Sequence, residues 1–238
     1  MDNINGAQEY YMEGAVLLFD KPLEWTSFDM VKKVKALLRH CLAIKKIKVG
    51  HAGTLDPLAS GLLIICTGKM TKQIDTIQRL EKEYSGTFFI GATTPSADLE
   101  TQPDAHFPVE HIDSQMLEQA RKSFTGCLQQ VPPLYSAKKI NGERAYEHAR
   151  RGDKTIMQPN TVNIHQFELT RIALPEVDFR VICSKGTYIR SLARDFGETL
   201  QSGAYLQKLR RTRIGSYEVK DAWSPDDFAN SMKQWKTK

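Results

Sequence analysis

With 238 residues, 41% of them hydrophobic, the chain is long enough to bury a substantial core, as one large domain or as one domain carrying an insertion. It holds no run of 18 apolar residues, which excludes a membrane-spanning helix, and its polar opening stretch, Met1 to Tyr11, lacks the basic and apolar regions of a signal peptide. The net charge of +5 is small but uneven, with seven basic and no acidic residues between Met30 and Leu55, then seven acidic and no basic residues between Glu83 and Ala120.

Gly14 to Phe19 is a short apolar run ended by Asp20-Lys21-Pro22 and reads as a strand leaving the core. Thr26 or Ser27 can cap a helix in which Phe28, Val31, Val34, Leu37 and Leu38 recur at helical spacing. That helix carries the basic face of Lys32, Lys33, Lys35 and Arg39, continued by Lys45, Lys46 and Lys48. A positive surface here suggests a polyanionic partner, because phosphate contacts dominate nucleic-acid affinity. A solvated helix face would explain Lys32 and Lys35, but less easily the four basic residues from Lys208 to Arg213.

The stretch Gly50 to Lys72, G-H-A-G-T-L-D-P-L-A-S-G-L-L-I-I-C-T-G-K-M-T-K, is the most specific in the chain. It sets Asp56 between glycine-punctuated turns and directly before Pro57, which biases Asp56 toward an extended or turn conformation. Gly50, Gly53 and Gly61 tolerate close approaches that a side chain would forbid. Leu62 to Cys66 reads as a short buried strand anchoring the loop. A lone acid on a braced loop is a sensible place for chemistry, although Asp-Pro also simply initiates turns.

Thr71 to Leu80 reads as a short helix, Glu83 to Ile90 as a strand, and Gly91 to Asp104 as an acidic loop. Tyr84, in that strand, could equally be a core aromatic. Asp113 or Ser114 starts a helix ended by Gly126. There follows Q-Q-V-P-P-L-Y-S-A-K-K-I-N-G-E-R-A-Y-E-H-A-R-R-G, with a turn at Asn141-Gly142 and a short basic helix stopped by Gly152. Its basic residues, Lys138, Lys139, Arg144, Arg150 and Arg151, interleave with Tyr135, Tyr146 and His148, a mixture suited to phosphate contact plus stacking. Val162 to Ile172 and Val177 to Cys183 read as two strands joined near Pro175, the second running into C-S-K-G-T-Y-I-R. A helix follows with Ile189, Leu192, Ala193 and Phe196 apolar; the helix dipole argues against Arg190 as a mere surface cation at its start. Ala204 to Arg213 reads as a strand and Trp223 to Lys238 holds one terminal helix.

Other chemistries find no support. Leu63 stands where a phosphate-binding loop around Gly68-Lys69 needs its first glycine, and the six histidines form no zinc-ligand spacing, so no metal is expected. The four cysteines include no C-x-x-C pair, which fits free thiols and a cytoplasmic location.

Taken together, the segment around Asp56 closely resembles the signature of bacterial tRNA pseudouridine-55 synthases (the TruB family), G-H-x-G-x-L-D-P. Further motifs match in the family's order: an apolar strand followed by D-K-P, Lys82-Glu83-Tyr84, the basic insertion, and C-S-K-G-T-Y-I-R. The resemblance spans roughly Gly14 to Val219. The text T-P-S-A-D-L-E-T departs from the family's T-D-T-x-D-x-x-G, so Asp98 aligns but its loop receives no role. The resemblance implies a pseudouridine synthase fold, α+β, with a mixed, mainly antiparallel central sheet and flanking helices. It implies an N-terminal tail (1–13), a catalytic domain (14–223) with an RNA-gripping insertion at about 124–154, and a C-terminal helix (224–238) in place of the further RNA-binding PUA domain of many relatives. It makes Asp56, Tyr84 and Arg190 catalytic, with Tyr84 stacking on the base and Arg190 facing the acid. His51, Tyr84, Tyr188 and Leu209 bind substrate, and the insertion's basic residues hold RNA. The implied reaction is isomerisation of uridine 55 in the T loop of tRNA, without cofactor, by a cytoplasmic monomer needing no protein partner. Rival readings are a non-catalytic tRNA-binding or folding protein and a carboxylate-dependent hydrolase, which would want a second acid beside Asp56.

Overall fold

The computed structural model describes residues 4–136, 138–140, 143–151 and 157–235. In chain order its elements begin with α1 (Ile4–Gly14), β1 (Val16–Lys21), α2 (Ser27–Cys41), β2 (Val49–His51), β3 (Ala59–Thr67), α3 (Ile74–Arg79) and β4 (Lys82–Ile90). They continue with β5 (Ala92–Thr93), β6 (Ala105–His106), α4 (Ser114–Ser123), β7 (Gly126–Gln130), β8 (Lys139–Ile140), β9 (Glu143–Arg144) and α5 (Ala145–Arg151). The last are β10 (Asn160–Ala173), β11 (Glu176–Cys183), α6 (Ile189–Thr199), β12 (Ala204–Ile214), β13 (Tyr217–Glu218) and α7 (Pro225–Lys233). The fold is α+β with a mostly antiparallel central sheet, as expected. The chain forms two compact units, Met1–Glu83 with Arg210–Lys238, and Tyr84–Leu209.

In the first unit β3 is the central element. Its one edge pairs antiparallel with β1, from Val16 opposite Cys66 to Lys21 opposite Gly61, and β2 pairs with Thr67, Cys66 and Ile65. Leu63 and Ile65 join the core under α1, α2 and α7, whereas Leu62, Ile64 and Cys66 join a second cluster with Ile77 and Ile214. A strand buried on both faces has no polar face to alternate, which explains the unbroken apolar run. At Gly61 (φ 103°) a Cβ would collide with the backbone of Arg211, so glycine here permits the close approach of β12.

Helix α2 starts where its sequence says. Thr26 accepts from the backbone N–H of Asp29 at 3.0 Å and donates its own N–H to the Asp29 carboxylate at 3.1 Å, a reciprocal capping box. Met30, Val31, Val34, Leu38 and Cys41 form the buried face. Phe28 does not belong to it: the ring is 59% exposed, with the Lys32 ammonium 4.9 Å above it. Ser27 and Met30 of the same turn are buried, so the apolar stripe runs down the other side of the helix and Phe28 falls just outside it. Helix α1 lies in the stretch that looked like a polar tail. It buries Ala7, packs Ile4 and Tyr11 into the core, and its Gln8 amide donates to the Leu42 carbonyl at 2.6 Å.

The second unit has the strand order β4-β11-β10-β7, with β10 antiparallel to both its neighbours. Its core is aromatic: Phe88 stacks on Phe179 at 4.2 Å, and Phe167 and Phe196 meet Phe88 at 6.3 and 5.6 Å. Ile189, Leu192, Ala193 and Phe196 of α6 are all buried, as their spacing indicated. Asp113 caps α4 by accepting from the N–H of Met116 at 2.8 Å. The expected loop at Gly91 to Asp104 contains β5, which pairs with β6. In the insertion, Asn141, Gly142, Gly152 and Lys154 lie outside the described residues, as do the side chains of Lys139, Arg144, His148 and Arg150.

Because Phe88 is the hub of that aromatic cluster, Phe88→Ala should remove about 3–5 kcal/mol of stability in urea unfolding of the whole protein; a loss below about 1 kcal/mol would mean the cluster collapses around the gap.

Candidate active site

The loop between β2 and β3 carries His51 at its start and Asp56 near its end, and its backbone is held from several directions. From α2, the Ser27 hydroxyl accepts the Leu55 N–H at 2.8 Å and donates to the Leu55 carbonyl at 3.1 Å. The N–H of Glu24 donates to the Pro57 carbonyl at 2.8 Å, and that of Ala59 to the Asp56 carbonyl at 3.1 Å. The half-buried Asp56 side chain is therefore presented by an immobilised segment.

Two buried cations flank it. Lys21, at the end of β1, is completely buried, and its ammonium donates to the carbonyls of Pro22 (2.8 Å), Trp25 (2.6 Å) and Pro57 (3.5 Å). Burial pulls its pKa down to about 8; the charge of Asp56 opposes that shift and the charge of Arg211 adds to it. Arg211 of β12 is also buried, and its guanidinium reaches the carbonyls of Leu62, Thr54 and Gly53. The imidazole of His51 is shifted toward its neutral form by burial, against the backbone of Gly53 and helped by the Arg211 charge. Neutral, it presents a flat ring rather than a charge.

In the second unit, Tyr188 and Arg190 stand at the start of α6. The Gln130 side chain accepts the Tyr188 N–H at 2.8 Å and donates to the Tyr188 carbonyl at 3.1 Å, and the Ser191 hydroxyl donates to the Val131 carbonyl at 2.8 Å. Arg190 is buried, not a surface cation; its Nε lies 3.6 Å from an Asp98 oxygen and it donates to the Ser96 carbonyl at 3.3 Å. Asp98 is itself fixed: its carboxylate accepts the Glu100 N–H at 2.9 Å, and its carbonyl accepts from Thr94 and Ser96. The divergent acidic loop thus supplies a buried counter-charge to Arg190. Tyr84, at the start of β4, is buried and Leu209 partly so.

Of the insertion's basic residues, Lys138 donates to the Gln158 carbonyl (3.1 Å) and the Asn160 side chain (2.9 Å), and exposed Arg151 pairs with Glu143 at 2.6 Å. The cluster Lys208 to Arg213 is not the open cationic strip that its composition suggests. Arg210 pairs with Asp20 at 2.6 Å, Arg213 pairs with Glu81 at 2.8 Å, and Arg211 is buried. Sequence reasoning assigned no role to Lys21, Arg211 or Asp98. The D-K-P motif could have flagged Lys21 and the aligned position Asp98, but nothing in a run of arginines marks the one that turns inward.

Among solved structures, the fold resembles a chain in the crystal structure of a Cbf5-Nop10-Gar1 complex, with a TM-score of 0.73 and 28% identity over 96% of this chain and 57% of that one. A chain in the structure of an H/ACA RNP bound to a substrate RNA containing 2′-deoxyuridine gives 0.68 and 26%, over 95% of this chain and 55% of that one. This chain spans little more than half of either. The architecture is that of a pseudouridine synthase.

The model of the TruB family pseudouridylate synthase N-terminal domain matches residues 39–189, and that of the tRNA pseudouridylate synthase B C-terminal domain matches residues 190–238. The tRNA pseudouridine synthase B of Flavobacterium johnsoniae is 57% identical over 94% of this chain and 98% of its own length. That of Phocaeicola vulgatus is 51% identical over 94% and 95%. The chain belongs to the TruB family of pseudouridylate synthases.

The lowered pKa of Lys21 predicts a pH signature. The folded protein releases this proton near pH 8 and the unfolded chain near 10.5, so the stability linked to it is complete above 10.5 and is lost as pH falls through about 8. Thermal melts from pH 7 to 10 should therefore show wild type gaining on Lys21→Met as pH rises; parallel curves would place the ammonium in water.

Proposed function

We propose that this chain isomerises uridine 55 in the T loop of tRNA to pseudouridine. The observation that carries the reading is the Asp56 loop, whose family signature is displayed on a backbone held on both sides of the carboxylate. The N1–C1′ bond breaks, the base turns, C1′ rejoins through C5, and the C5 proton leaves as N1 gains one. Atoms and electrons balance within the nucleotide, so neither cofactor nor metal is required. Asp56 acts at C1′, as nucleophile or as the charge that promotes cleavage. Tyr84 stacks on the base and assists proton transfer, Tyr188 and Leu209 line the pocket, and Arg190 supplies positive charge to the acid. His51 enters the stack that the extruded uridine leaves, a task suited to its neutral ring.

RNA is held by phosphate contacts. The insertion contributes Lys138, Lys139, Arg144, Arg150 and Arg151. A groove of about 260 Å³ in the first unit, lined by Lys46, Lys48, Lys69 and Lys72 together with Met12 and Thr71, offers a second cationic surface. We take residues 14–223 as the catalytic domain, with its insertion at about 124–154, preceded by the segment 1–13 and followed by the helical segment 224–238. The protein acts as a cytoplasmic monomer without a protein partner; among the described residues no helix is long and apolar enough to cross a membrane.

Chemical labelling of pseudouridine in tRNA exposed to the protein tests the activity. Asp56→Asn should abolish product while folding and tRNA binding persist; near-normal turnover in that variant would sink the assignment and favour a tRNA-binding role without chemistry. Replacing Arg150 and Arg151 together with Ala should raise KM and flatten the log-log salt dependence of binding by about one unit for each phosphate no longer neutralised, with little change in single-turnover rate. Unchanged affinity and slope would shift the clamp to the lysine groove.

A further inference from the structure

A buried arginine commonly answers a carboxylate; Arg211 does not. It is 1% exposed, and among the described residues no carboxylate bridges it. Its Nε donates to the Leu62 carbonyl at 2.7 Å, one terminal nitrogen to Gly53 at 3.1 Å and the other to Thr54 at 3.4 Å. Leu62 belongs to β3, the strand buried on both faces, whereas Gly53 and Thr54 lie three and two residues before Asp56. One planar group therefore spans from fixed strand to loop, a geometry that the guanidinium fork suits and a lysine ammonium cannot copy. The surroundings are arranged for it. Gly61 lets the Arg211 backbone come close, and Gly53, at φ 103°, turns its carbonyl with its Cβ position 3.6 Å from the guanidinium. A cation buried without a counter-ion costs stability that an apolar side chain of equal volume would not. Packing alone does not explain it.

We propose that Arg211 is a positioning residue for the reaction: it ties the carbonyls of Gly53 and Thr54 to β3 and so fixes the approach of Asp56, without touching the substrate. The inference rests on the function proposed above. With Lys21 gripping the Pro57 carbonyl on the far side, the acid stands between two anchors. Displacing a reacting group by about 1 Å costs on the order of a hundredfold in rate, so a loosened anchor shows in chemistry before binding.

The test is Arg211→Lys, which keeps the charge and loses the fork. Single-turnover pseudouridine formation at saturating tRNA should fall about a hundredfold while the Kd for tRNA stays within about threefold of wild type. A rate within twofold of wild type overturns the proposal, as does a parallel loss of rate and affinity, which would mark a general structural role. Should the variant not fold, NMR of the wild-type protein decides. A fork held by three carbonyls gives resolved, slowly rotating Nη resonances for Arg211, and a single averaged signal overturns the assignment. Wild type and Asp56→Asn are assayed alongside. If wild type makes no pseudouridine the proposed activity itself fails, whereas activity in wild type with none in Asp56→Asn leaves Arg211→Lys to report on the anchor alone.

Discussion

The strand Ala59–Thr67 is apolar on both faces and paired along its length, and the arrangement around Asp56 depends on that constraint. A strand with one wet face already resists a one-residue slip, because its apolar side chains would turn to water. One whose Leu63 and Ile65 fill one cluster while Leu62 and Ile64 fill another cannot shift by a residue without exchanging every side chain between the two. The loop that precedes it therefore inherits a fixed end point. Everything that then holds the loop, from the Ser27 hydroxyl to the Lys21 ammonium, works against a reference that does not move.

This constraint was legible in the residues themselves. An unbroken Leu62 to Cys66 run, bounded by glycines, has few folded solutions besides a doubly buried strand. The helix from Ser27 was equally readable, because Thr26 and Asp29 satisfy each other locally whatever the rest of the chain does. The failures are also physical. Helix α1 buries little of its own surface, so no strong apolar stripe betrays it. Strand β2 is three residues long, too short for any period to show. Lys21 and Arg211 look like any surface cations in a list of residues; only the fold decides that they point inward at carbonyls.

The pairing of Arg190 with Asp98 shows the same limit from the other side. Sequence placed Arg190 in a site but left the acidic loop without a purpose, since the loop departs from the family's text around its one aligned acid. In the structure, hydroxyls of Thr94 and Ser96 fold the loop back on the Asp98 carbonyl, and a backbone bridge joins Asp98 to Leu206. The carboxylate's place is secured by the loop's own hydroxyls and by this bridge.

The two units differ in how the chain builds them. Residues 84–209 form one unit without interruption, whereas the other needs both Met1–Glu83 and Arg210–Lys238, with α7 packing its Phe228 and Met232 into the same cluster as α1 and β1. During synthesis the first 83 residues must therefore wait, their apolar strand and helix faces incompletely covered, until more than a hundred further residues have been made. A nascent chain cannot complete the core behind Asp56 before its final segment emerges. A message truncated upstream of residue 210 would yield a chain able to complete only one of its halves.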